Sequence, residues 1–281
     1  MKKSQLITIG TAIFLVAVIY FFGRTTPYKS APASSGQTVS SSSDNLTDTI
    51  LNMAKSQIKP DQVMRLTTLE NSISRGAVKE QKLSVYHRLA HFWKDSVGFF
   101  LPYAYYEAES ARLENSENSL TFAARLFLDN LQQEQNPEFR RWEALQARDL
   151  FERSLIINPQ NDSAKVGLGA CYLFGNISTA PMEGIGKIRE VLNKDSTNVY
   201  AQMMLVKGSL MSGQYEKAIS RLQLINQLQS NNLEAILMLA DTYERVKDKS
   251  NALKWYQRSL PLATNEQMKA AIEKRIEEMK H

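Results

Sequence analysis

The chain has 281 residues, of which 43% are hydrophobic, so it can bury the core of one sizeable domain or two small ones. Its formal net charge is +5. Lys2, Lys3, Arg24 and Lys29 supply most of this charge, because no acidic residue precedes residue 44. The other 30 of the 34 basic residues are balanced by 29 acidic residues, so the rest of the chain is nearly neutral. This balance argues against a nucleic-acid-binding protein, which needs a concentrated basic face.

The first predicted element is an uncharged apolar run from Leu6 to Phe22, preceded by Lys2 and Lys3. Its length is close to the lower limit for a membrane-spanning helix, about 17–25 residues. The alternative is a cleaved signal peptide, but the run ends in three bulky aromatic residues, which suit a membrane interface better than a cleavage site. The sequence therefore predicts a single transmembrane helix over residues 1–23 that anchors the protein in a lipid bilayer.

Two segments follow the predicted anchor. Residues 24–45 are rich in Ser, Thr, Pro and Ala, a composition typical of a flexible linker. Residues 46–119 have helical apolar spacing without a clear repeat and are predicted to form a divergent helical region. A helix is expected to begin at Pro60, and another helix to end near residues 74–76.

The divergent region contains a cluster of aromatic residues. One interpretation is a binding platform for a peptide or a glycan. The favoured interpretation is a packed seam between antiparallel helices. The cluster consists of Tyr86, Phe92, Trp93, Phe99, Phe100, Tyr103, Tyr105 and Tyr106.

The residues that most resemble a metal or catalytic site are His87 and His91, which share one face of a helix if the segment is helical. The segment lacks the glutamate of the His-Glu-x-x-His zinc motif, and Arg88 opposes a cation, so we predict no metal and no cofactor. The single cysteine, Cys171, is predicted to be a small buried hydrophobic residue. No nucleophile–base arrangement is evident, and the chain is predicted not to be an enzyme.

A repeated pattern extends over residues 120–264. The segment from Gly213 to Ala218 recurs 34 residues later and ends at Ala252. A period of this length, with small residues at fixed points, is typical of a helix–turn–helix solenoid. The residues that mark the pattern are Leu168, Gly169, Tyr172, Gly213, Tyr215, Ala218, Leu239, Ala240, Tyr243, Ala252 and Tyr256.

This pattern resembles the tetratricopeptide repeat (TPR), because Leu239, Ala240, Tyr243, Ala252 and Tyr256 stand at the Leu-Gly, Tyr, Ala and Phe/Tyr points of that motif. The resemblance implies an all-α, right-handed superhelix whose inner helices line a concave groove for a protein partner. Some family members bind a peptide carboxylate through a clamp of Lys and Asn residues on the inner helices. The corresponding positions of this sequence do not carry that Lys and Asn set, so the clamp is absent here.

The end of the solenoid is predicted to be covered by a capping helix over residues 265–281. Thr264 and Gln267 have the spacing of a capping box, which would start this helix.

Stacking the inner helices of the three clearest repeats predicts the lining of the groove. Its surface should change from apolar to acidic toward the C-terminus, which suits a partner segment with an apolar anchor and a basic end. The predicted lining residues are Val166, Leu173, Tyr200, Met203, Lys207, Leu237, Asp241 and Glu244.

These patterns favour a membrane-tethered scaffold that binds a protein partner, with its body in the periplasm of a bacterial inner membrane. The first alternative is a chaperone-like holdase for exported proteins. The second is a glycan-binding protein or an enzyme that uses residues 86–106.

Overall fold

The computed structural model of the protein describes residues 38–75, 78–177 and 181–280. The predicted anchor from Leu6 to Phe22 lies outside these residues, as does most of the predicted linker. No helix within the described ranges combines the length and the apolar character needed to cross a membrane. The chain divides into two compact units, Met1–Thr47 and Asp48–His281, and the description below concerns the second unit.

All regular elements in the described part of the chain are helical. Residues 38–45 of the predicted linker already belong to the first helix, because a helix extends at little cost once its buried C-terminal half, at Ile50 and Ala54, is fixed. The α-helices are α1 (Thr38–Lys55), α2 (Pro60–Arg75), α3 (Lys79–His91), α4 (Phe100–Glu114), α5 (Glu117–Leu131), α6 (Pro137–Ile157), α7 (Asp162–Phe174), α8 (Pro181–Lys194), α9 (Val199–Met211), α10 (Tyr215–Leu228), α11 (Leu233–Arg245), α12 (Lys249–Ser259) and α13 (Glu266–Lys280); a π-helical turn spans Phe92–Val97 and a 3₁₀ turn spans Leu260–Leu262.

The aromatic residues of the divergent region form a packed core between α2, α3 and α4. Phe92 and Trp93 are fully buried, and the Trp93 ring stacks on the Phe99 ring with centroids 6.2 Å apart. Both buried rings belong to the π-helical turn, which ends where Gly98 adopts φ 80° and donates its N–H to the Trp93 carbonyl. The turn has no signature in the sequence pattern.

Three inner helices of the repeat region begin at asparagine caps. The side chains of Asn161, Asn198 and Asn232 each accept a hydrogen bond of 2.9 Å from the backbone N–H three residues later. A cap of this kind satisfies one of the N–H groups left without a partner at a helix N-terminus. The inner helices α7, α9 and α11 therefore begin at chemically equivalent turns.

Small residues let the paired helices approach closely. A Cβ atom added at Gly169 on α7 would lie 2.6 Å from the carbonyl oxygen of Gly184 on α8. Ala218, Ala240 and Ala252 are fully buried. The other marked positions that are buried in the repeats are Leu168, Leu239, Tyr243 and Tyr256; Tyr172 and Tyr215 are half-buried, and Gly213 has φ 70° in the turn after α9.

The final helix, α13, packs through Ile272, Ile276 and Met279. The capping box predicted at Thr264 is wrong, because the side chain of Asn265 accepts the N–H of Met268 at 2.8 Å. The helix begins at Glu266, so Asn265 rather than Thr264 stands at the capping position.

Candidate functional site

The first helices of successive pairs form one continuous layer, termed here the inner row: α5, α7, α9, α11 and α13. Helix α5 contacts α7, and α7 contacts α9. An ion pair of 3.1 Å joins Lys207 on α9 to Glu234 on α11. A hydrogen bond of 3.1 Å joins Arg275 on α13 to Glu244 on α11. The row therefore presents one surface built from every repeat.

A cavity of about 640 Å³ lies at the α5 end of the inner row and is termed here the first-repeat cavity. Phe122 on α5 leaves 53% of its surface exposed there, although aromatic side chains are usually buried. The lining residues are Glu117, Asn118, Thr121, Phe122, Arg125, Leu126, Asp129, Asn161 and Ser163.

Arg125 and Tyr200 place hydrogen-bond donors beside the cavity that have no acceptor within the described part of the chain. The Arg125 guanidinium lies 5.4 Å from the centre of the Tyr200 ring and makes no side-chain hydrogen bond there. The Tyr200 hydroxyl is buried without a partner among the described residues, and burial raises its pKa well above the usual range. A buried hydroxyl without a partner costs free energy, but this one is closed to solvent, so only the exposed Arg125 offers a donor to an acceptor from outside.

Asp129 lies one helical turn after Arg125 and completes the polar part of this region. Burial raises the pKa of its carboxyl group, while the positive charges of Arg125 and Lys207 oppose that rise. The cavity therefore combines an exposed ring, an unpaired guanidinium and two carboxyl groups, of which Glu117 already accepts hydrogen bonds from Asn158 and Asn161. This combination can hold a peptide by an apolar side chain and by its backbone or carboxylate oxygens.

A second cavity of about 340 Å³ lies where α5, α7 and α9 end. Lys207, a predicted groove residue, lines it together with Phe174 and Leu210, and Met211 at its edge is 68% exposed. Tyr200 and Lys207 both lie on α9, so the structure places these two predicted residues on the inner row.

Two predicted lining residues are wrong. Val166 is fully buried and Met203 is only 5% exposed, so neither lines an accessible groove. Both lie on the face through which α7 and α9 pack against neighbouring helices. Leu173 is half-buried and packs against α9, where a Cβ atom added at Gly208 would lie 2.8 Å from its Cδ2.

Of the two acids at the predicted acidic end of the groove, Glu244 forms an ion pair among the described residues and Asp241 forms none. Asp241 accepts a hydrogen bond from the Tyr256 hydroxyl. Glu244 Oε2 lies 3.0 Å from the same hydroxyl, and Glu244 forms an ion pair with Arg275. Leu237, between them and the start of α11, is half-buried.

The sequence analysis missed Phe122, Arg125 and Asp129, because only the three clearest repeats were stacked. The available signal was their spacing on α5. They alternate with Leu120 and Phe127, which are fully buried, and so face away from the core.

Another cavity, of about 380 Å³, lies at the aromatic region and is termed here the aromatic cleft. Its walls are mainly apolar and come from α1, the start of α4 and the start of α6. The side chains that define it are Ile50, Met53, Phe99, Phe100, Leu101 and Phe139.

His87 and His91 contact different partners. A nitrogen of the His87 ring lies 3.2 Å from the Ser110 hydroxyl, and His91 Nδ1 lies 2.9 Å from Asp95 Oδ2. Among the described residues, no group of three or more His, Cys, Asp or Glu side chains is arranged to hold a metal ion. Cys171 is fully buried, and burial raises the pKa of its thiol well above the usual range.

The paired helices, the asparagine-capped turns and the inner row define a helix–turn–helix solenoid. No family model and no curated protein matches the chain. Among solved structures, the chain is similar to a tetratricopeptide repeat protein from Parabacteroides merdae ATCC 43184, with 13% identity over 85% of this chain and 87% of that one and a TM-score of 0.52. This likeness shows the TPR fold and confirms the fold predicted from the repeat residues.

Two other solved structures are also similar to the chain. MamA 41-end from Desulfovibrio magneticus RS-1 has 19% identity over 64% of this chain and 94% of that one, with a TM-score of 0.43. YrrB, described as a TPR protein with an unusual peptide-binding site, has 12% identity over 73% and 97%, with a TM-score of 0.41.

Proposed function

We propose that the protein is a scaffold that recruits a protein partner by binding a segment of it along the inner row. The observation that carries the proposal is the first-repeat cavity, where exposed Phe122 and the unpaired guanidinium of Arg125 line the same surface. Surface apolar side chains beside unsatisfied polar groups mark an interface better than either feature alone.

The partner segment presents an apolar side chain to Phe122 and an oxygen acceptor to Arg125. A backbone carbonyl or a carboxylate supplies such an acceptor, and a guanidinium binds a carboxylate through two parallel hydrogen bonds. An aromatic residue and an arginine side by side have the composition of an interface hot spot. The C-terminal part of the row contributes less, because Glu244 is paired with Arg275 within the chain.

We further propose that the scaffold is a right-handed superhelix tethered to a bacterial inner membrane, with its body in the periplasm. The support is the uncharged run from Leu6 to Phe22 after Lys2 and Lys3. Tethering would concentrate the inner row near membrane-bound partners.

The test is crosslinking of the full chain in intact membranes, followed by measurement of the affinity for the captured partner. Phe122→Ala should weaken that affinity by tenfold or more, because aromatic anchors carry much of the energy of an interface. Ile156→Ala is the matched control, since Ile156 is 80% exposed on α6, outside the inner row. Equal affinities for the two variants would refute binding at the first-repeat cavity.

The same experiment separates the alternatives. If Phe100→Ala abolishes capture while Phe122→Ala does not, the partner occupies the aromatic cleft. If no stoichiometric partner is captured and the chain suppresses aggregation of unrelated unfolded proteins, the protein is a holdase rather than a scaffold.

A further inference from the structure

A concave pocket of about 390 Å³ lies between α2, α3 and the π-helical turn, away from the inner row. Its floor is formed by Leu69 and Phe92, which are almost completely buried. Its rim carries charged and hydroxyl side chains from three different elements. The full lining is Arg65, Thr68, Leu69, Arg88, His91, Phe92, Asp95 and Ser96.

Two arginines on the rim have no anionic partner in the described part of the chain. Neither Arg65 on α2 nor Arg88 on α3 makes a side-chain hydrogen bond or an ion pair there. The Arg65 guanidinium lies 5.7 Å from the centre of the Phe92 ring. This contact leaves the N–H groups of the guanidinium available to an acceptor.

The π-helical turn adds a third donor. The Ser96 hydroxyl makes no hydrogen bond to the described residues, whereas the Ser96 carbonyl accepts one of 3.0 Å from Gln62 of α2. That bond holds the turn against α2 and keeps Ser96 at the rim. π-Helical turns are rare and occur frequently at functional sites.

The charge balance of the lining favours an anion. Asp95 is the single acidic residue among the eight lining residues, and its carboxylate is already bonded to His91 at 2.9 Å. Two arginines against one aspartate leave a net positive charge even when His91 is neutral. The hydroxyl of Thr68 is occupied, since it donates to the Met64 carbonyl at 2.9 Å.

We propose that this pocket binds a phosphoryl group. Donors from three elements around one pocket suit the three terminal oxygens of a phosphate monoester, whereas a planar carboxylate needs one guanidinium fork. The group can be carried by a soluble metabolite or by a lipid headgroup, and the volume of the pocket accommodates the phosphate with a few adjoining atoms.

The test is calorimetric titration of the full chain with glycerol 3-phosphate, with glycerol and acetate as comparison ligands. Arg65→Gln and Arg88→Gln should each weaken glycerol 3-phosphate binding by about tenfold, because each removes a charge-assisted hydrogen bond. Arg245→Gln is the matched control: Arg245 is exposed on α11 and forms no ion pair with the described residues, so its replacement should leave the affinity unchanged.

The source of the phosphoryl group is distinguished with dihexanoyl phosphatidic acid, used below its micelle concentration, against dihexanoyl phosphatidylcholine. Tighter binding of the phosphatidic acid than of glycerol 3-phosphate, lost in Arg88→Gln, assigns the pocket to a lipid headgroup. Equal binding assigns it to a soluble monoester. The proposal is overturned if glycerol 3-phosphate does not bind at millimolar concentrations, if acetate binds as tightly, or if Arg245→Gln weakens binding as much as Arg88→Gln.

Discussion

Replacing Gly169 with alanine tests the closest approach between paired helices. The added Cβ atom would lie 2.6 Å from the Gly184 carbonyl oxygen and 2.8 Å from Ile188 Cγ1. The first of these is a backbone atom of a packed helix, so the clash is relieved only by separating α7 from α8. Overpacking of this kind costs about 1–3 kcal/mol.

A second substitution isolates that packing cost. Alanine in place of glycine inside a helix gains about 1 kcal/mol of helix propensity, and this gain partly offsets the clash in Gly169→Ala. Gly186 lies in α8, and a Cβ atom added there would meet no atom within 4 Å. Gly186→Ala should therefore stabilise the protein, and the difference between the two variants should be about 1–3 kcal/mol.

The assay is urea unfolding of both variants and of the unsubstituted chain, followed by far-ultraviolet circular dichroism. Gly169→Ala should lower the midpoint relative to Gly186→Ala without changing the slope of the transition, since the exposed surface is unchanged. If Gly169→Ala unfolds at the same urea concentration as Gly186→Ala, the two helices are not held together through this contact.

Two further predictions concern the core. Ala252→Leu should destabilise the protein by about 1–3 kcal/mol, because Ala252 is fully buried against a neighbouring helix; an unchanged melting temperature would contradict the proposed packing. Glu143 is also fully buried, and burial raises the pKa of its carboxyl group to about 8 from 4.5 while a hydrogen bond from Asn130 opposes the rise. The folded chain then keeps a proton that the unfolded chain has released, so the stability contributed by this carboxyl group is fully present below pH 4.5 and is lost as the pH rises to about 8. Across this pH window, the melting temperature of the unsubstituted chain should fall by more than that of Glu143→Gln. Glu138→Gln, an exposed change on the same helix, should follow the unsubstituted chain. Identical profiles for Glu143→Gln and the unsubstituted chain would contradict the titration of a buried carboxyl group.

The sequence by itself determined the repeat architecture. Small residues at a fixed period act within one repeat, because paired helices are adjacent in the sequence. Gly169, Ala218 and Ala252 therefore indicated close contacts between paired helices without reference to distant parts of the chain.

Only the tertiary structure decided which side chains the inner row exposes. The exposure of Val166 and Met203 depends on how each repeat is rotated against the next, and a small rotation moves a residue from a groove into a core. The periodicity of the sequence identifies the apolar face of a helix but does not fix this rotation. Buried and groove-facing positions are neighbours around the helix axis, so a rotation by about one residue exchanges them.

Pairing of charges is likewise a tertiary property. Glu244 forms an ion pair with Arg275, 31 residues later, so an acidic residue in the sequence need not leave an unpaired charge on the folded surface. The converse holds for Arg65 and Arg88, which remain unpaired because α2 and α3 bring them to a rim with a single carboxylate. Coulomb interactions depend on distance in space, and the packing of helices that are remote in sequence sets those distances.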